Sequence, residues 1–113
     1  MALPFEDIKN INDSKDLWKI VVRVKDLWSV TTMANKEHLG MVVIDLKKDM
    51  IQVIVPPYLV PKHKDTFKIG NTYIIQNFKV AKNDLTFKAT THNFNLIFCG
   101  ATSARDADFQ TFL

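Results

Sequence analysis

The chain has 113 residues, 47% of them hydrophobic, and a formal net charge of +3. That length suits one globular domain with a real core, and apolar runs of four or five residues fall far short of the roughly 20 that cross a bilayer, so no membrane is expected. The start MALPFEDIKN lacks the basic, then apolar, pattern of a secretory signal, and the lone Cys99 cannot form an internal disulfide, so an intracellular protein with Cys99 as a small buried filler is expected.

Residues 18–25, WKIVVRVK, alternate Trp18, Ile20, Val22 and Val24 with Lys19, Val21, Arg23 and Lys25, the period-two signature of a first strand. Residues 38–46, HLGMVVIDL, predict a second strand that is apolar on both faces, with Gly40 as a bend point. A polar turn at Lys47, Lys48 and Asp49 leads into a third strand at 50–55, MIQVIV. Pro56 and Pro57 then stop the sheet, since each removes a ladder donor. In YLVPKHKDTFK, Leu59, His63 and Phe67 stand at i, i+4 and i+8, one stripe of a short helix that begins close to Pro61. Gly70-Asn71 ends it, and 72–82, TYIIQNFKVAK, is a fourth strand. Asn83-Asp84 turns the chain into a fifth strand at 85–98, LTFKATTHNFNLIF.

In that fifth strand Phe94, Leu96 and Phe98 share one face, whereas Phe87 falls on the other parity. A bulge near Thr91 would return its ring to the core. The favoured alternative leaves it exposed, as a platform on which a base can stack.

Three strands, a short helix and two strands make an all-β chain with the connectivity of the five-stranded OB-fold, a Greek-key barrel with its helix between strands three and four. Residues 1–16 read as an N-terminal flank with a turn at Asn12-Asp13-Ser14, 17–100 as the OB domain, and 101–113 as a C-terminal tail, either a frayed helix or a linker stub. The flank carries two basic and four acidic groups, the tail one and two, and the stretch between them twelve and six. A basic middle between acidic ends suits a phosphate backbone as ligand, and equally a lysine-rich solubilising surface.

The blocks WKIVVRV, MVVIDLKKDMIQVIV, GNTYIIQNFKVAK and FKATTHNFNLIF resemble the DNA-binding OB domains of the replication protein A large subunit, most closely its divergent plant members. The likeness covers roughly residues 17–99 and rests on order and spacing. It implies a non-catalytic module that binds single-stranded DNA with little sequence preference, in nuclear replication, repair or recombination. RNA and other replication protein A-like subunits are left open as partners. One base-stacking aromatic of the family, at the start of strand five, falls on Phe87; the other, at the end of strand three, falls on Pro56. A basic residue of strand three falls on Gln52. Trp28, in the loop after strand one, lies where the family places an aromatic contact, and reads equally as a plug for the barrel end.

Single-strand binders combine a cationic groove with aromatic platforms. The cationic candidates are Arg23 and Lys25 on the outer face of strand one, Lys36 in the next loop, Lys79 and Lys82 of strand four, and Lys88 beside Phe87. Lys47, Lys48, Lys62, Lys64 and Lys68 read as solubility charges. Asn77, Asn93 and Asn95 can bond base edges or be ordinary exposed polar positions. His38, His63 and His92 lack metal-ligand spacing, and no nucleotide loop, activated nucleophile or carboxylate pair stands out. No cofactor, metal or catalysis is expected. The competing reading is a protein-interaction OB module without nucleic-acid binding, suggested by Pro56, Gln52 and a tail with Phe109 and Phe112.

Overall fold

The structure is a computed structural model that describes residues 5–14, 17–31, 33–83 and 90–107. The alternation at residues 20–24 acts as its period dictates: Ile20, Val22 and Val24 are fully buried, and Arg23 between them faces outward. This strand, β1 (Lys19–Thr31), runs six residues beyond the point at which its sequence pattern stops. Its register against β2 (Glu37–Ile44) shifts between Val24 and Asp26, which makes Lys25 the extra residue of a β-bulge. An extra residue flips the parity of everything after it. Leu27 therefore packs on the core, and Trp28, paired with Gly40, points away from it.

The hairpin of β2 with β3 (Met50–Val55) turns Leu39, Met41 and Val43, and then Ile51, Val53 and Val55, into the same core. Its turn is organised by Asp45. One carboxylate oxygen accepts from the amides of Lys47 and Asp49, both at 3.1 Å, and the other accepts from the amide of Ile8 at 2.9 Å. The segment before β1 is thereby pinned to the hairpin, with Ile8 and Ile11 buried in the core. Lys47, expected to be a solubility charge, instead pairs with Asp7 at 2.9 Å.

After β3 a 3-10 turn at Pro57–Leu59 leads into the short helix α1 (Val60–His63), with Pro61 in its first turn, where a missing amide hydrogen breaks no intrahelical bond. Leu59, His63 and Phe67 are all buried, but the helix ends at His63, short of the stop expected at Gly70-Asn71, so Leu59 lies in the 3-10 turn before it and Phe67 beyond it. Tyr73 fixes the segment that follows, its hydroxyl donating to the Thr66 carbonyl at 2.9 Å and accepting from the Lys68 amide at 2.7 Å.

The single extended run expected at 72–82 is in fact two strands, β4 (Thr72–Gln76) and β5 (Lys79–Lys82), separated by Asn77 in the left-handed region at φ 63°. Asn77 holds the corner: its amide donates to the Trp18 carbonyl at 3.0 Å, and its carbonyl accepts from the Thr102 hydroxyl at 3.0 Å. Ahead of the corner β4 pairs with β1; beyond it β5 pairs with β6 (Phe94–Ile97), which runs parallel to β3. The strand order is β5-β6-β3-β2-β1-β4-β7. Because β4 and β5 are continuous through the corner, the two halves of one run close the sheet into the OB-fold barrel. The last strand, β7 (Ser103–Asp106), lies in the segment read as a helix or linker stub and extends the sheet beyond β4. Seven strands thus replace the five expected, one by division and one by addition. Cys99, expected to be buried, is half-buried beside the corner, where the Thr102 hydroxyl holds its thiol below the usual range.

His63 places a titratable ring inside the apolar stripe, 3% exposed and 5.0 Å from the ring of Phe98. Burial, and secondarily the charge of Lys62, lowers its pKa. A depressed histidine pKa means that the unfolded chain binds the proton more readily, so this contribution to stability is intact above the ordinary histidine value and declines as pH falls below it. Thermal melts should lose midpoint between pH 7.5 and 5.5, and His63→Leu should flatten that slope. An unchanged slope in the variant would place the titrating group elsewhere.

Candidate nucleic-acid interface

The face of the sheet turned away from the core is the candidate surface. Strand register arranges its side chains in rows across the barrel. One row runs Trp28, Gly40, Ile54, Ile97 and Lys79; the next runs Asp26, Val42, Gln52, Asn95 and Ala81. Arg23 begins a third row with Ile44 and Met50. Among the described residues of these rows Asp26 is the one acid, and it accepts the amide hydrogen of Leu27 at 2.9 Å.

Trp28 is a strand residue, in correction of its expected place in a loop, because the bulge at Lys25 lets β1 continue. Nor does it plug a barrel end. Its indole lies over Gly40, where a Cβ would come within 2.3 Å of Trp28 Cε2 and 2.4 Å of Nε1. Gly40 is not a bend in the strand but the space in which the ring sits on the outer face, half-buried. The cationic candidates divide. Arg23 and Lys79 belong to the outer rows, Lys25 is exposed at the bulge, and Lys36 is exposed in the β1–β2 connection. Lys82 pairs with Phe94, on the opposite parity to Lys79, so the two lysines do not share a face. Phe87 and Lys88 lie outside the described residues.

Gln52 stands on the outer face of β3 as expected, but it is buried, at 7% exposure. Asn95, its direct partner on β6, is 3% exposed, in correction of the reading as an ordinary exposed position. Asn93 is exposed, and Asn77 is the structural corner.

The connection between β5 and β6 is tied at its base. Asn83 donates from Nδ2 to the carbonyls of Thr90 and His92 at 3.3 and 2.9 Å. His92 accepts the Phe94 amide at Nδ1, 3.0 Å away, which places its hydrogen on Nε2, 2.8 Å from the Ile8 carbonyl it then donates to. Beside the first residues of β3 and β6 a cavity of about 620 Å³ is bordered by Lys9, Lys48, Met50, Thr90 and His92. Nothing in the sequence pattern joined Lys9 to Lys48, because the Ile8–Asp45 bond that brings the two segments together is a tertiary contact. Among the described residues no group of three His, Cys, Asp or Glu side chains could hold a metal ion, and no helix is long and apolar enough to cross a membrane.

The model of the family described as Domain of unknown function DUF223 matches residues 9–111. The chain belongs to that family. No curated protein matches its sequence. Among solved structures, a replication protein A heterotrimer bound to single-stranded DNA superposes with a TM-score of 0.82 at 14% identity, over 95% of this chain and 25% of that one. The DNA-binding domain A of replication protein A from S. cerevisiae gives a TM-score of 0.69 at 15% identity, over 96% and 98% of the two chains. Fission yeast Pot1 with single-stranded DNA gives 0.72 at 13% identity, over 94% and 40%. The DUF223 chain therefore has the OB-fold and spans about a quarter of the replication protein A chain it matches.

The indole over Gly40 generates a direct test. Gly40→Ala forces the ring off its seat, and overpacking of this kind costs about 1 to 3 kcal/mol. In a double-mutant cycle followed by urea denaturation, Trp28→Ala should cost markedly less in the Gly40→Ala background than in the wild type. Strict additivity would mean that the ring does not rest there.

Proposed function

We propose that this chain is a non-catalytic module that binds single-stranded DNA and serves nuclear DNA replication, repair or recombination. What supports the reading most is the outer face of the barrel, on which Trp28 and Lys79 stand at the two ends of one row and Arg23 begins the row beyond Asp26, with Asp26 the one acid among the described residues of these rows. The likeness of fold to domains seen with single-stranded DNA points the same way. A strand laid across β2 and β3, between the β1–β2 and β5–β6 connections, would meet these groups in turn.

Each group has a role that its chemistry suits. Arg23 can grip a phosphate with its planar fork. Lys25, Lys36, Lys79 and Lys82 neutralise backbone charge at the rim, Lys82 from the other side of β5. Trp28 and Phe87 offer rings to bases, a contact worth about 1 to 3 kcal/mol per base. Lys88, beside Phe87 in sequence, adds a further cation. Gln52 supplies a polar group at the floor.

Titration of the chain with a fluorescent thymine oligomer at several salt concentrations tests this. Affinity should fall with salt, at a log-log slope of about −0.7 per phosphate contact. Arg23→Ala and Lys79→Ala should each make the slope shallower by roughly that amount, with similar losses for any base sequence. Phe87→Ala should cost about 1 to 3 kcal/mol of binding. Absence of binding at low salt would defeat the proposal.

A further inference from the structure

Two neighbouring side chains on the outer face are buried without being satisfied. Gln52 and Asn95 are direct partners across β3 and β6, and neither Gln52 Oε1 nor Asn95 Oδ1 has a hydrogen-bond partner. Buried acceptors of this kind are uncommon in folded chains, because the lost hydration is not replaced. Two in one register make a matched pair. The row they share continues in Val42 on one side and Ala81 on the other, and the next row brings Ile54 and Ile97 alongside, none of which carries a side-chain donor, and neither oxygen is met by the other's amino group. Adjacent strands lie about 4.8 Å apart, a spacing from which two flexible carboxamides can converge on one planar ring edge.

Resting on the single-strand reading above, we propose that Gln52 and Asn95 form a base-reading subsite for a ring edge with two neighbouring N–H donors, so that the domain favours guanine at one position of the bound strand. Guanine offers its N1–H and N2 amino group side by side. Thymine offers one N–H between two carbonyl oxygens, which would face the acceptors with like partial charge. Adenine and cytosine each offer one amino group beside a ring-nitrogen acceptor. Phosphate carries no donor and so could not satisfy these two oxygens, whereas a base can, entering edge first between the apolar side chains around them. The cationic groups hold any strand; this pair discriminates among bases.

The test titrates the full chain with short thymine oligomers carrying one central dT, dG, dA, dC or deoxyinosine, read by fluorescence anisotropy. The dG strand should bind about tenfold more tightly than the all-thymine strand, the size expected of one good two-bond base contact. Deoxyinosine, which lacks the N2 amino group, should lose most of that gain, a comparison that needs no altered protein. Asn95→Leu should bring the dG to dT affinity ratio close to one. Strands that all bind with equal affinity, or deoxyinosine that matches dG, would overturn the subsite and leave single-strand binding standing. No binding by any strand at low salt would remove the functional reading, and the subsite with it.

Discussion

The β-bulge at Lys25 is the constraint on which the rest of the molecule depends. Without it, β1 could not send Val24 and Leu27 to the core while sending Arg23 and Trp28 to the outer face. A bulge also bends its strand and sharpens the local twist, and β1 needs both, because it pairs with β4 through residues 19–23 and with β2 from Arg23 onward. One long strand thus serves two walls of the barrel. The same extra residue that lets the sheet curl also places the indole over Gly40, so closure and the candidate surface have a single geometric origin.

Closure at the opposite side uses a different device. Asn77 adopts a left-handed conformation, which asparagine tolerates better than most residues, and divides one extended run between two partner strands. Its carbonyl and amide are both committed, to Thr102 and Trp18, so the corner leaves neither backbone group unpaired. Asp45 does the equivalent at the hairpin end, where its carboxylate gathers three amides, one of them from the segment before β1. The segment before β1 and the strand after β6 are therefore both fastened to the barrel, Ile8 and Ile11 by burial and β7 by pairing with β4.

These devices mark the boundary of what the amino-acid order reveals. Where burial repeats with a fixed period it is legible: Ile20, Val22 and Val24 and the β2–β3 hairpin lie where alternation puts them, and Leu59, His63 and Phe67 are buried although the helix is shorter than their spacing implies. A bulge leaves no such trace, since one inserted residue resembles the end of the pattern, and DLWSVT after Lys25 reads as loop. The corner at Asn77 is equally hidden inside an unbroken strand-like run. The SARD of β7 reads as polar because an edge strand needs little apolar surface, and Ala104 is what it packs against the core. On the surface, residue types identified Arg23, Lys25, Lys36, Lys79 and Lys82 as cations, but only register separates Lys79 from Lys82. The burial of Asn95 could be seen only once β6 was set beside β3.

The outer face joins two kinds of group whose physical demands oppose one another. Cations at a rim act through a screened, long-range field and are indifferent to which base they pass. Buried carboxamides carry no net charge, add nothing to that field, and destabilise the barrel for as long as their oxygens lack donors. Packing the floor with leucine in place of Gln52 and Asn95 would remove that penalty and leave the cationic rim intact. A floor needed only to support a strand would gain nothing from polar atoms there, whereas one that distinguishes ring edges must hold acceptors away from water, so that a mismatched base leaves them unpaired.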